Sequence, residues 1–174
     1  QALKAADLRD MGESAEACVA AIKENIYKLN SYFTVADLKY LRKGGRISAT
    51  LAIAGTLLNI KPILKADGGS PAKISFFGKE RGRKKALAAL ADAFSNNVEN
   101  PENQVISITH ADCIEDAEEL AQTLRERGAK DVIIEYYDLC TGSHVGPGTV
   151  ALFFWGKDRR NPAPATQKKT FSRP

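Results

Sequence analysis

The sequence is poor in cysteine. Cys18, Cys113 and Cys140 are an odd number at wide spacing, and no CxxC pair exists. That argues against a disulfide framework and against a four-ligand zinc site. Each has apolar neighbours and reads as a small buried hydrophobe in a reducing cytoplasm. Long apolar runs are also missing. The longest, from Leu51 to Ile60, is broken by Gly55 and Asn59, so no membrane span is expected. No signal-peptide pattern opens the chain, and Gln1 in place of Met reads as a fragment or a processed product. The GxxxxGK[ST] and GxGxxG spacings are absent, which removes a P-loop and a dinucleotide fingerprint. The body also lacks clustered basic charge. The net charge of +4 is carried by residues 157–174, where six Lys and Arg face one Asp. A near-neutral body argues against nucleic acid as partner.

What is present describes an ordinary soluble domain. The 174 residues are 44% hydrophobic and 26% charged. The spacing of apolar residues predicts a helix over 1–11 and a second from the Ser14 cap to about Leu29. A short strand is expected at 32–35 and a helical turn at Asp37–Leu41, closed by Gly44-Gly45. A small-residue helix is expected at Ala49–Leu58. A hairpin follows over 60–77 around the turn Asp67-Gly68-Gly69-Ser70-Pro71. Then come a helix at Arg83–Phe94, a strand at Val105–His110 and a helix at Asp112–Arg127. A strand at Val132–Tyr136, a glycine-rich loop at 140–148 and a strand at Val150–Trp155 complete the order. This order predicts an α+β two-layer sandwich, with a mixed β-sheet and helices packed on one face. Residues 1–30 read as linking helices, 31–157 as the domain and 158–174 as a flexible basic tail.

Few residues could carry chemistry. His144 is one of two histidines and lies among Gly142, Gly146 and Gly148, where an imidazole can donate to an anionic oxygen. It reads equally as a turn residue before a buried strand. Arg46 follows two glycines and is suited to a carboxylate or phosphate; alone it reads as a surface arginine after a helix cap. The run Lys79–Lys85, with Arg81 and Arg83, puts cations at a helix N-terminus, against the dipole. It is a docking patch or a solvated charge run. His110 reads as a histidine capping the next helix. A Cys113 nucleophile would need an activating base nearby.

Four segments in one order carry a resemblance. They are the run from Tyr32 to Ile47, Leu57-Leu58-Asn59-Ile60-Lys61-Pro62-Ile63-Leu64, Arg81-Gly82-Arg83-Lys84-Lys85-Ala86, and His144-Val145-Gly146-Pro147-Gly148. Together they resemble the DegV family over about residues 1–157. The resemblance implies the C-terminal lipid-binding domain of a two-domain bacterial fatty-acid-binding protein, a carrier subunit of a fatty acid kinase. It implies a long-chain fatty acid as ligand, no cofactor, no catalytic residue and no metal. It implies a separate fatty acid kinase catalytic subunit as partner, which phosphorylates the carried carboxylate with ATP. His144 and Arg46 would bind the carboxylate. Ile47, Leu51, Ile53, Leu57, Leu58, Ile60, Ile63, Phe76, Ile108 and Phe153 would line the acyl tunnel. Arg81 and Arg83 would dock the kinase. The competing reading is an enzyme acting on a small anionic substrate with His144 and Arg46, and a second polar group from Asp138, Thr141 or Ser143.

Overall fold

The computed structural model describes residues 1–47, 59–67 and 74–161. The expected helix at Ala49–Leu58, most of the turn at 67–71 and the end of the tail lie outside them. The elements are α1 (Ala2–Asp10), α2 (Ala15–Asn25), β1 (Leu29–Thr34), α3 (Lys39–Lys43), β2 (Ile60–Ala66) and β3 (Ile74–Arg81). They continue with α4 (Arg83–Asn97), β4 (Val105–Ala111), α5 (Ile114–Glu126), β5 (Asp131–Tyr136), α6 (Leu139–Val145) and β6 (Thr149–Trp155).

The six strands of the described residues form one sheet in the order β3-β2-β1-β6-β4-β5. Within it β4 and β5 pair parallel, with α5 as the connection between them, and the other neighbours are antiparallel. This is the mixed sheet that the sequence predicts. Alternation along each strand sends successive side chains to opposite faces. Tyr32, Ile63, Ile106, Ile108, Val150, Leu152 and Phe154 form one face. The long helices α4 and α5 cover it. Ala86, Leu87, Leu90, Ala93 and Phe94 recur at helical spacing on α4, and Ala117, Leu120, Ala121 and Leu124 on α5. The other face carries Phe33, Leu64 and Ala151, with Phe153 and Ile74 partly buried. The short α3 and α6 cover one end of it, through Leu41 and Val145.

Several boundaries differ from expectation. β1 starts at Leu29, not Tyr32, and pairs with β6 from Leu29↔Trp155 onward. The buried Asn30 makes this possible. Its amide donates to the carbonyls of Lys28 (3.0 Å) and Lys157 (2.9 Å) and so ties the first strand to the last. β3 runs on to Arg81, because its ladder with β2 continues through Lys79↔Pro62 and Arg81↔Ile60. The basic run therefore straddles a strand, the turn at Gly82 (φ 88°) and the first turn of α4. The expected loop at 140–148 is mostly helix. Asp138 is its N-cap, and its carboxylate accepts from the Thr141 amide at 2.9 Å. The cysteines are not buried hydrophobes: Cys18 and Cys113 are half-buried and Cys140 is exposed.

The first tail residues are held in place. The Arg159 amide donates to Tyr27 O (2.8 Å) and its guanidinium to Leu29 O (2.8 Å). Arg160 lies 4.1 Å from the Tyr27 ring centre and pairs with Asp158. Among the described residues no helix is long and apolar enough to cross a membrane.

Candidate functional site

The site is built at one end of the sheet, where β1 ends and β6 begins. α3 and α6 meet there, and three close approaches between their segments depend on glycine. A side-chain carbon on Gly44 would overlap His144 Nδ1. One on Gly146 would overlap the Tyr40 ring, and one on Gly148 would lie 2.7 Å from Ala36 Cβ. The segments 36–44 and 144–148 thus run against each other with no room for a methyl group. Gly146 (φ 77°) and Gly148 (φ 75°) also turn the chain out of α6 into β6. The buried Thr149 hydroxyl closes this turn by reaching the carbonyls of Val145 (3.0 Å) and Gly146 (2.9 Å).

His144 therefore sits in the last turn of a capped helix, not in a loop. Its ring is half-buried against Gly44. Among the described residues no hydrogen-bond partner reaches either ring nitrogen. Arg46 is exposed two residues after Gly44, and its guanidinium bonds back to Gly44 O. The structure so brings together the histidine and the Gly44-Gly45-Arg46 turn, which are remote in sequence. Lys61 reaches the Ala36 carbonyl at 3.2 Å and adds a further cation to this edge.

The remaining candidates scatter. Ile47 is buried under the same face as Phe33 and Leu64, and Phe153 packs beside them. Phe76 pairs with Leu64 across β2 and β3 and is 46% exposed. Ile63 and Ile108 belong to the opposite core, under α4 and α5. The sheet stands between the two sets, so one tunnel on the α3–α6 side does not take in Ile63 and Ile108. Strand alternation places Ser107 and Thr109 with Phe153 and Ala151 instead. Ile60 is half-buried opposite Arg81. Leu51, Ile53, Leu57 and Leu58 lie outside the described residues. The sequence reading missed Phe33, Tyr40 and Leu41. The β-branched and aromatic content of 32–35 marked a strand, but nothing in the sequence marked which face Phe33 would join.

Arg81 is exposed, whereas Arg83 is engaged: its Nε donates to Asp116 at 2.8 Å and joins α4 to α5. His110 is a cap. The Cys113 amide donates to its Nδ1 at 3.3 Å, at the start of α5. The Cys113 thiol reaches Thr149 O at 3.3 Å, and burial pushes its pKa up. A thiol kept protonated is a poor nucleophile. The partners suggested for an acid–base role of His144 are also engaged. Asp138 caps α6 through Thr141, and the Ser143 hydroxyl donates to Cys140 O at 2.7 Å. Among the described residues no cluster of His, Cys, Asp and Glu could hold a metal ion.

The cap predicts a pH response. Hydrogen bonds from Thr141 hold the Asp138 carboxyl below the usual carboxylate range. A lowered folded value means that the cap stabilises α6 above the ordinary pKa, and that this is lost as pH falls through the lowered one. Exchange of the Thr141 and Gly142 amides, compared between native protein and Asp138→Asn, checks this. The native amides are expected to lose protection below about pH 4, and the Asn cap to show no such change.

The family model described as "Uncharacterised protein, DegV family" matches residues 1–157. The chain belongs to the DegV family. The DegV domain-containing protein CPE0026 of Clostridium perfringens is 43% identical over 159 residues, covering 91% of this chain and 54% of that protein. The crystal structure of the fatty acid binding DegV family protein SAG1342 from Streptococcus agalactiae matches with a TM-score of 0.74 at 33% identity, over 88% of this chain and 54% of that one. A DegV-family structure from Ruminococcus gnavus, refined with vaccenic acid, matches with a TM-score of 0.76 at 30% identity, over 87% and 54%. The chain spans about half the length of the curated DegV relatives it matches.

Proposed function

We propose that this chain binds a long-chain fatty acid. Its carboxylate meets His144 and Arg46, and its alkyl chain lies along the apolar face that begins at Phe33, Ile47, Leu64 and Phe153. The observation that carries this reading is the contact of His144 with Gly44. It puts an imidazole without a partner among the described residues, and a guanidinium, at the end of the sheet face that carries Phe33, Ile47 and Leu64. That arrangement suits an amphiphile. Each methylene buried is worth about 0.8 kcal/mol, while a carboxylate leaving water needs paired donors. The vaccenic acid of the Ruminococcus gnavus structure and the description of SAG1342 as fatty acid binding support the same ligand class.

The chain acts in this reading as a carrier. It presents the carboxylate to a separate kinase subunit for ATP-dependent phosphorylation, and exposed Arg81 is the docking residue. Asp138 and Ser143 are engaged elsewhere, which favours a carrier over an enzyme that pairs His144 with an acid–base partner. Organic extraction of the protein at its full natural length, followed by mass spectrometry, tests this. A stoichiometric fatty acid is the expected result. A clean extract, with no uptake of added fatty acid and with turnover of an acyl or phosphoryl substrate, would move the function to the enzyme reading.

A further inference from the structure

Gly44 raises a question that its backbone does not answer. Its φ of −76° and ψ of −2° are right-handed, a conformation any residue adopts. Glycine is needed there because the His144 ring occupies the place of a side chain. A Cβ at this position would overlap Nδ1 and lie 3.2 Å from both Cε1 and Cγ. The neighbouring contacts repeat the pattern. Ala36, Tyr40 and Gly44 are spaced by four and meet Gly148, Gly146 and His144, which are spaced by two. The large Tyr40 ring occupies the place that a side chain on Gly146 would take.

We propose that Tyr40 and Gly44 are positioning residues for His144. They set the place of its ring relative to Arg46 and so the strength of the carboxylate site. The inference rests on the carrier reading for its consequence, but not for its geometry. In Gly44→Ala the added methyl group pushes the imidazole away from the turn while the backbone keeps its conformation. In Tyr40→Ala the contact with Gly146 is lost and the last turn of α6 is free to shift. Tyr40→Phe keeps the ring and the contact.

The test uses oleate as probe and two readouts. One is oleate affinity; the other is the NMR resonance of the His144 ring in ligand-free protein. Gly44→Ala is expected to move the His144 resonance and to weaken oleate binding about tenfold or more, the weight of one charge-assisted hydrogen bond. Tyr40→Ala is expected to do the same, and Tyr40→Phe to restore both readouts. The melting temperature of Gly44→Ala is expected to stay near that of the native protein. An unmoved His144 resonance with native oleate affinity in Gly44→Ala would overturn the inference. Native protein that binds no oleate would sink the carrier reading instead, and the ring resonance would still decide whether Gly44 positions His144.

Discussion

Phe154→Ala is expected to lower stability by about 3–5 kcal/mol, a large part of the roughly 5–15 kcal/mol that holds a domain together. Phe154 is 1% exposed at the centre of the sheet. Its ring stacks on Tyr32 at 6.0 Å and meets Phe94 of α4 edge-on at 5.3 Å. It therefore joins three parts of the chain that are distant in sequence: the first strand, the long helix and the last strand. Removing it leaves a cavity that rigid strands on both sides cannot close. Urea unfolding would read the effect as a lower midpoint with an unchanged slope. A loss under about 1 kcal/mol would mean that the α4 layer collapses into the gap, and that the packing described for this face is not the main source of stability. The same change on the other face, Phe153→Ala, is expected to cost less, because Phe153 is only half-buried.

His144→Ala is expected to weaken fatty acid binding by about 10- to 100-fold, while stability stays near native. The two halves of this prediction have separate causes. In the proposed site the ring is one of the carboxylate's donors, and a carboxylate that loses a donor on leaving water keeps the full cost of its burial. Folding depends on the ring much less, since it fills space beside Gly44 and, among the described residues, holds no other group by a hydrogen bond. Oleate titration together with thermal unfolding of the same variant measures both. Native affinity in His144→Ala would remove this residue from the site. A large fall in melting temperature would recast it as a packing residue.

The sequence by itself determined the class of fold and most element types. Helical spacing marked α4 and α5, continuous apolar runs marked β4 and β6, and a strong turn marked the β2–β3 hairpin. Short motifs in a fixed order were enough for the family. These signals are local, and each reports on a few neighbouring residues. Some local signals misled: the glycines of 140–148 suggested a loop, and the structure makes most of it a helix capped by Asp138. Tertiary structure alone decided which side of the sheet each strand residue joins. The family resemblance implied Ile108 as a lining residue, yet it packs in the core under α5. Pairing across β1, β6 and β4 sets that choice, and pairing partners lie far apart in sequence. Tertiary structure also decided the meeting of His144 with Gly44. No sequence pattern shows that a glycine in a relaxed conformation is kept small by a histidine a hundred residues away, because the reason is a contact and not a property of the glycine.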